Sequence, residues 1–253
     1  APFCNASNTT AFIRRLLSVV QPDLVVFTGD QVYHPSEPAA ALNASLGPVR
    51  GVPYVFVFGN HDVGRCDRWS YQTMREHVEQ HALLVGTSTL RVRRADGDDL
   101  DLFFLDYDKG SHEESGSELP ESHLAWFADR SQAARHGMVF LHVPPVEFSG
   151  VDVQSGSKQE NVDHSRVSRL RIQDLSPGIR AVAVGHDHVN DFCGKMNNVA
   201  LCYAGGAGYT TYGREGWSRR ARVYQFFANY SLATYKLLDN ATGNLTVVDR
   251  ELL

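Results

Sequence analysis

The sequence predicts an α/β fold: a mixed β-sheet, or two sheets packed face to face, with helices on the outside. Three observations carry this reading. The opening third alternates helix, strand, helix, strand, as βαβ units do. Apolar runs at Leu24 to Phe27, Tyr54 to Phe58 and Ala181 to Val184 have the length and composition of buried strands, and each runs into a glycine-containing polar turn. The last third instead carries short strand-like runs separated by turns.

Thr9 to Val20 sets Phe12, Ile13, Leu16, Leu17 and Val20 at helical spacing, with Asn8 and Thr9 available as caps and Gln21-Pro22 as a stop. This helix feeds the strand at Leu24. A second helix over about Ala39 to Leu46 precedes the strand that Pro53 initiates. Leu102 to Leu105 reads as a strand, Glu121 to Arg135 as a helix, and Val139 to Leu141 as the strand after it. Asp106 to Pro120 and Pro144 to Arg166 are polar, with Gly, Ser and Pro throughout, and read as surface loops. Both follow strand ends, where they would control access to a site on that rim. Val199 to Tyr203, Ala221 to Phe227, Ser231 to Lys236 and Leu245 to Val248 read as antiparallel strands. The chain has 253 residues and 43% hydrophobic content, enough core for one domain over residues 1–253.

A formal charge of −5 and a pI near 6.1 argue against nucleic-acid binding, which needs clustered Lys and Arg. The dense basic patch is Arg219, Arg220 and Arg222. No apolar stretch approaches the roughly 20 residues that cross a bilayer, so no membrane span is predicted. Nothing in the sequence specifies an oligomeric state. Ala1-Pro2-Phe3 opens neither a signal peptide nor a normal translated chain, so a processed, trimmed or incomplete chain is expected. The 4 cysteines, at 4, 66, 193 and 202, lack the Cys-x-x-Cys spacing of a zinc site. Cys193 and Cys202 flank the turn-like Gly194 to Asn198, which makes a cross-hairpin disulfide geometrically feasible. Sequons at Asn5, Asn8, Asn43, Asn229, Asn240 and Asn244 favour passage through the secretory pathway, to an extracellular or vacuolar location. Accidental sequons and buried free thiols are the alternative.

The polar turns carry the chemistry. Gly29-Asp30, Gly59-Asn60-His61-Asp62 and Gly185-His186-Asp187-His188 follow strands, and the Val139 strand runs into His142. Ligating side chains thus sit at the carboxyl ends of strands, where open α/β sheets place their ligand crevice. Taken singly, Asp30 reads as a turn residue, Asn60 as a tight-turn residue and His142 as a core histidine. Jointly, carboxylate, amide and imidazole suit divalent or trivalent metals such as Zn, Mn and Fe.

These residues resemble the calcineurin-like metallophosphoesterases. That family's pattern is an Asp-x-His, then Gly-Asp, Gly-Asn-His-Asp/Glu, a histidine after a strand, and Gly-His-x-His; all but the first block stand here in order, across Gly29 to His188. The stretch from Val184 to Cys193, then Tyr203 to Tyr209 and Gly216 to Val223, looks more narrowly like the purple-acid-phosphatase-like branch of plants and fungi. The resemblance implies a four-layer sandwich of two mixed β-sheets flanked by helices. It also implies two metal ions, divalent or mixed-valence Fe, Zn or Mn. Asp30 would bridge them, Asn60, His142 and His186 would complete one site, and His188 would belong to the other. Tyr33 stands as in the Gly-Asp-x-x-Tyr motif, where a tyrosine binds ferric iron; an aromatic packing beside the turn is the other reading. No Asp-x-His or Asp-x-Gly precedes Gly29, and Asp23 lies at the wrong end of its strand. The first strand of the fold is therefore expected to be missing from this chain.

The implied activity is hydrolysis of a phosphomonoester or small phosphodiester by a hydroxide generated on the metals. Its substrate would be a phosphorylated small molecule or a phosphoprotein. His61, next to Asn60 and outside the family's ligand set, is the candidate general acid, with Asp62 orienting its imidazolium. At least one of Arg219, Arg220 and Arg222 is a candidate phosphate contact, although arginines on one strand must point to different faces. Tyr209 and Tyr212 are candidates to line the pocket. The alternative is a phosphate-binding or structural glycoprotein that keeps the fold with an incomplete first metal site. A Ser/His/Asp hydrolase fails for want of a Gly-x-Ser-x-Gly elbow.

Overall fold

The computed structural model describes residues 6–32, 38–62, 70–95, 97–107, 119–163, 168–240 and 242–253. Tyr33, Cys4, Cys66 and Asn5 lie outside the described residues. Helix α1 (Ala6–Val20) ends where Gln21 takes a left-handed backbone, φ +47°, just before Pro22. Strand β1 (Val25–Phe27), helix α2 (Pro38–Leu46) and strand β2 (Tyr54–Phe56) follow. Helix α3 (Tyr71–Glu79) starts on Ser70, whose hydroxyl accepts the Thr73 N–H at 3.1 Å and so satisfies one orphan donor of the first turn. Next come β3 (Leu84–Val85), β4 (Ser88–Val92), β5 (Leu100–Leu105), α4 (Glu121–Ser131), β6 (His136–Leu141), β7 (Asp152–Ser155) and β8 (Ile179–Val184). The chain closes with β9 (Cys193–Met196), β10 (Val199–Tyr203), β11 (Arg220–Phe226), β12 (Leu232–Asp239) and β13 (Leu245–Leu252).

A seven-stranded mixed sheet runs β4-β5-β6-β8-β10-β9-β7, with β5, β6, β8 and β10 parallel at its centre. Side-chain alternation along these strands builds the layers. Phe103, Leu105, Val139, Leu141, Val182 and Val184 form one cluster with Phe127 of α4 and with Phe148. Leu102, Phe104, Met138, Phe140, Ala181 and Ala183 pack instead with Val55 of β2, Val57 just beyond it, and Leu232 of β12. Tyr54 and Phe56, on the opposite face of β2, pack with Ile13 of α1, Leu42 of α2 and Val78 of α3. Four layers result: α4, the large sheet, a second sheet layer, and α1 to α3. Each fully buried Val, Leu or Phe contributes about 1.5–3 kcal/mol, so the central strands are the most firmly held.

The face-to-face packing is that expected from the sequence. The second layer, however, is divided among the described residues into a parallel sheet, β1-β2-β3, and an antiparallel one, β11-β12-β13. β1 and β11 are edge strands that line a cavity of about 1900 Å³, with Leu16 and Leu17 of α1 and Leu102 and Phe140 of the large sheet. Val199 to Tyr203 does not join the antiparallel tail: it pairs parallel with β8 and antiparallel with β9. In that β9–β10 hairpin Cys193 stands opposite Cys202, and the two form a disulfide with Cα atoms 4.2 Å apart. Helix α4 stops at Ser131 rather than Arg135. The Ala134 carbonyl beyond it sits so close to Gly178 that a Cβ there would fall 1.9 Å away, and a helix continued through Ala134 would lose this seat. Pro144 to Arg166 is not simply a loop, because β7 lies within it and pairs with β9.

Candidate metal centre

Thr28-Gly29-Asp30 leaves β1, Asn60 follows β2, His142 follows β6, and His186 follows β8. The two sheets therefore present these turns to one point. The backbone is bent to do so: Gly29, Asp30 and His186 have φ of +95°, +54° and +73°. Left-handed backbone at non-glycine residues is costly and concentrates at functional sites. Gly59 is required by close approach, since a Cβ there would lie 2.2 Å from Asp30 Oδ1.

One buried carboxylate ties the first two turns together. Asp62 Oδ2 accepts the N–H groups of Asp30 (2.7 Å) and Gly59 (2.8 Å), while Oδ1 accepts those of Gln31 (2.6 Å) and Val32 (3.2 Å). The sequence reading gave Asp62 the task of orienting His61; the structure commits both of its oxygens to backbone amides. Burial and the nearby Asp30 charge push Asp62 up to about 7, against donors that favour its ionised form. The His61 N–H donates to Asp30 Oδ1 at 2.7 Å.

Four acceptor atoms converge on the far side of Asp30. His142 Nδ1 donates to the Thr28 carbonyl at 2.8 Å, which leaves Nε2 as the ligating nitrogen. His142 Nε2 then lies 3.0 Å from Asp30 Oδ2, 3.0 Å from Asn60 Oδ1 and 3.3 Å from His186 Nδ1. Ligand atoms of Asp30, His142 and His186 fall within 4.8 Å of one another. The Asn60 amide nitrogen is buried with no hydrogen-bond partner among the described residues, so the Asn60 side chain presents its oxygen to the cluster.

Such a cluster can hold a cation. Burial opposes ionisation of Asp30, but the His142 charge and hydrogen bond, aided by the His61 N–H, hold its carboxyl well below the usual range. Burial likewise disfavours His142 as a cation, yet the Asp30 carboxylate draws its pKa upward. A proton on His142 Nε2 thus stands where a metal would neutralise the same acceptors. Burial, with the His142 charge, lowers His186 to about 4. Carboxylate, amide oxygen and imidazole nitrogen fit a divalent metal of the Zn, Mn or Fe kind.

His188 is not one of the three residues whose ligand atoms fall within 4.8 Å of one another, although it lies close enough to interact electrostatically with Asp30 and His142. Its Nδ1 lies 2.7 Å from Thr211 Oγ1, its ring stacks on Tyr212 at 3.9 Å between centroids, and burial lowers it to about 4. His61, Asp30, His142, His186, His188 and Tyr212 nonetheless line one cavity. Tyr209 turns away, with its hydroxyl on Asp239 at 2.7 Å. The three arginines are committed to the chain itself. Arg219 donates to the Thr211 and Tyr212 carbonyls, Arg220 pairs with buried Asp191, and Arg222 donates to the Tyr203 and Asp191 carbonyls.

The sequence places Ser157 to Asp163 within a rim loop that would control access, but names none of its contacts. Its backbone is bound to the His186 turn: Ser157 N–H to Asp191 Oδ1 at 2.8 Å, Gln159 N–H to Asn190 Oδ1 at 2.9 Å, and Asp163 N–H to Asp187 Oδ1 at 3.3 Å. Glu160 returns the contact by accepting the Val189 N–H and the Tyr212 hydroxyl. Asp187, which also accepts the Tyr203 hydroxyl, is pushed up to about 6 by burial and by the Glu160 charge. No local motif marks these residues, because their partners are brought to them by the pairing of β7 with β9 and the Lys158–Asn190 bridge beyond it.

The chain is similar to known phosphoesterases. The sequence model of the calcineurin-like phosphoesterases matches residues 4–190. Probable inactive purple acid phosphatase 14 of Arabidopsis thaliana is 30% identical over 312 residues, covering 100% of this chain and 77% of that protein. Phosphatase DCR2 of Saccharomyces cerevisiae is 26% identical over 94% of this chain, which spans 49% of the yeast protein. Among solved structures, a dimetal phosphatase from Danio rerio superposes with a TM-score of 0.57 at 11% identity, covering 96% of this chain and 88% of that one, and so shares its fold.

Proposed function

The chain belongs to the calcineurin-like phosphoesterase family, and on that premise we propose that it hydrolyses a phosphomonoester or a small phosphodiester in a metal-dependent reaction. The observation that carries this reading is the convergence of Asp30 Oδ2, Asn60 Oδ1 and His186 Nδ1 on His142 Nε2, at 3.0, 3.0 and 3.3 Å. Asp30, Asn60, His142 and His186 would hold the metal. When bound, metal supplies a water of lowered pKa and positive charge for the phosphoryl oxygens. His61, on the same cavity wall and fixed through its backbone to Asp30, is assigned the proton for the departing alkoxide. Asp62 keeps the two turns in register, so that His61 and Asn60 face the same substrate. The substrate class is a phosphorylated small molecule or phosphoprotein. The Cys193–Cys202 disulfide and the exposed sequons at Asn229 and Asn244 support passage through the secretory pathway. No helix among the described residues is long and apolar enough to cross a membrane.

A second reading is favoured by one further observation. The ligand atoms that converge among the described residues, those of Asp30, His142 and His186, suffice for one metal, and Arabidopsis relatives bear the name probable inactive purple acid phosphatase. On that reading the chain binds a phosphorylated ligand without turning it over. Metal analysis together with a panel of aryl and alkyl phosphomonoesters and phosphodiesters separates the two. Metal uptake with turnover is the expected result; uptake without turnover supports the second reading, and no uptake overturns the first.

A further inference from the structure

The Ser157 to Asp163 segment does more than border the cavity. Asp163 Oδ2 lies 3.2 Å from His186 Nε2, on the side of the ring opposite Nδ1, which faces His142 Nε2 at 3.3 Å. The imidazole is thus held between a carboxylate and the ligand cluster. Its side chain is 8% exposed, whereas that of Asp163 is 44% exposed. The carboxylate is delivered from a fixed backbone: the Asp163 N–H donates to Asp187 Oδ1, one residue from His186, and Val162 beside it is buried. Neutral imidazole carries one N–H, and whichever nitrogen bears it cannot ligate a metal. A carboxylate only accepts, so Asp163 selects the form with the proton on Nε2.

We propose that Asp163 is a positioning residue that holds His186 as its Nε2–H tautomer, so that Nδ1 presents a lone pair to the cluster of Asp30, Asn60 and His142. The inference rests on the reading of that cluster as a metal site and adds a residue that neither the turn motifs nor the family pattern supplies. Carboxylate–histidine–metal relays of this kind raise ligand basicity and fix ring orientation, and their loss typically costs about 10–100-fold in metal affinity.

Long-range ¹H–¹⁵N correlation spectra of the metal-free full chain read the tautomer directly, with the His186 signals assigned by their loss in His186→Gln. The wild type should show protonated Nε2 and unprotonated Nδ1. Asp163→Ala should give a mixture of tautomers. Asp163→Asn, whose amide oxygen can accept the same proton, should restore much of the wild-type pattern. Titration with Mn²⁺ should show affinity about 10–100-fold weaker in Asp163→Ala, with an unchanged melting midpoint in the metal-free form. An unaltered tautomer in Asp163→Ala, or Mn²⁺ affinity equal to wild type, overturns the proposal. If the wild type takes up no metal, the phosphoesterase reading falls, while the tautomer comparison still decides the role of Asp163.

Discussion

His142 Nδ1 donates to the Thr28 carbonyl at 2.8 Å, so a backbone group on the edge strand of one sheet fixes the ligating nitrogen of a residue on the central strand of another. That bond is what directs His142 Nε2 at Asp30 and Asn60. Removing Asn60 should therefore weaken the site without disturbing His142. Asn60→Ala is expected to lower metal content after dialysis against Mn²⁺ or Zn²⁺, measured by elemental analysis, and retention of wild-type content would remove Asn60 from the ligand set.

His61→Ala separates proton transfer from metal binding. Metal content should stay near wild type, while kcat on alkyl phosphates falls by about 10²–10⁴. Aryl phosphates, whose leaving groups need no proton, should lose much less. Equal losses on both substrates would make His61 structural.

Asp62→Asn tests the clamp between the first two turns. An amide offers one acceptor oxygen and places an NH₂ against backbone donors, so two N–H groups lose their partner. The expected cost is about 2–4 kcal/mol in urea denaturation. A cost below about 0.5 kcal/mol, the range of ordinary surface substitutions, would contradict the bonding described.

Asp187 gives a pH signature with a definite sign. Its folded value of about 6 exceeds the ordinary carboxylate value of 3.8, so between these limits the folded state binds the extra proton. Its contribution to stability is present below about pH 4 and is lost as pH rises through about 6. Asp187→Asn removes that loss. The difference in unfolding free energy, variant minus wild type, should rise by on the order of 1 kcal/mol from pH 4 to pH 7 in the metal-free protein. A difference that stays flat or falls would show that Asp187 is ionised throughout.

The disulfide closes a short loop, with a sequence separation of 9. Cys193→Ser with Cys202→Ser should lower stability by about 2–3 kcal/mol on loop entropy alone. Intact mass of protein from a secretory host should show the bond formed and glycans on Asn229 or Asn244. A fully reduced, glycan-free product would argue against secretion.

The parts of the fold that were legible in sequence are those whose burial writes a pattern. β6 and β8 are covered on both faces, which forces unbroken apolar runs, and α1 turns Phe12 and Ile13 inward at helical spacing. β7 and its neighbour β9 carry no such signature: β7, with the sequence Asp-Val-Gln-Ser, is mostly exposed, and β9 contains a glycine against which the Asp152 backbone packs. Helix α3 buries only Met74 and Val78, too few to mark a period, and is set by its Ser70 cap instead. At the candidate site, Asp30, Asn60, His142 and His186 stand out in sequence because each follows a strand-like run. Asp62 stands out in its motif, but its bonds to backbone amides leave no trace in residue types. Asp163 was invisible, because its neighbour in space lies 23 residues further on.

The origin of the ligands in two different sheets has a mechanical consequence. Asp30 and Asn60 ride on the small parallel sheet, while His142 and His186 ride on the large one. An ion bound by all of them would add a coordinate cross-link between two layers that are otherwise joined by apolar packing and a few hydrogen bonds, among them His142 Nδ1 to the Thr28 carbonyl and Phe58 N–H to Asp106. Occupancy and rigidity then become one quantity: at a free ion concentration 100 times Kd, binding adds about 2.7 kcal/mol to the folded state. Part of that strengthening would oppose separation of the two sheets, because the ligands come from both. The ion would be a rivet as well as a reagent, and depletion would loosen the scaffold in the same event that disables the site.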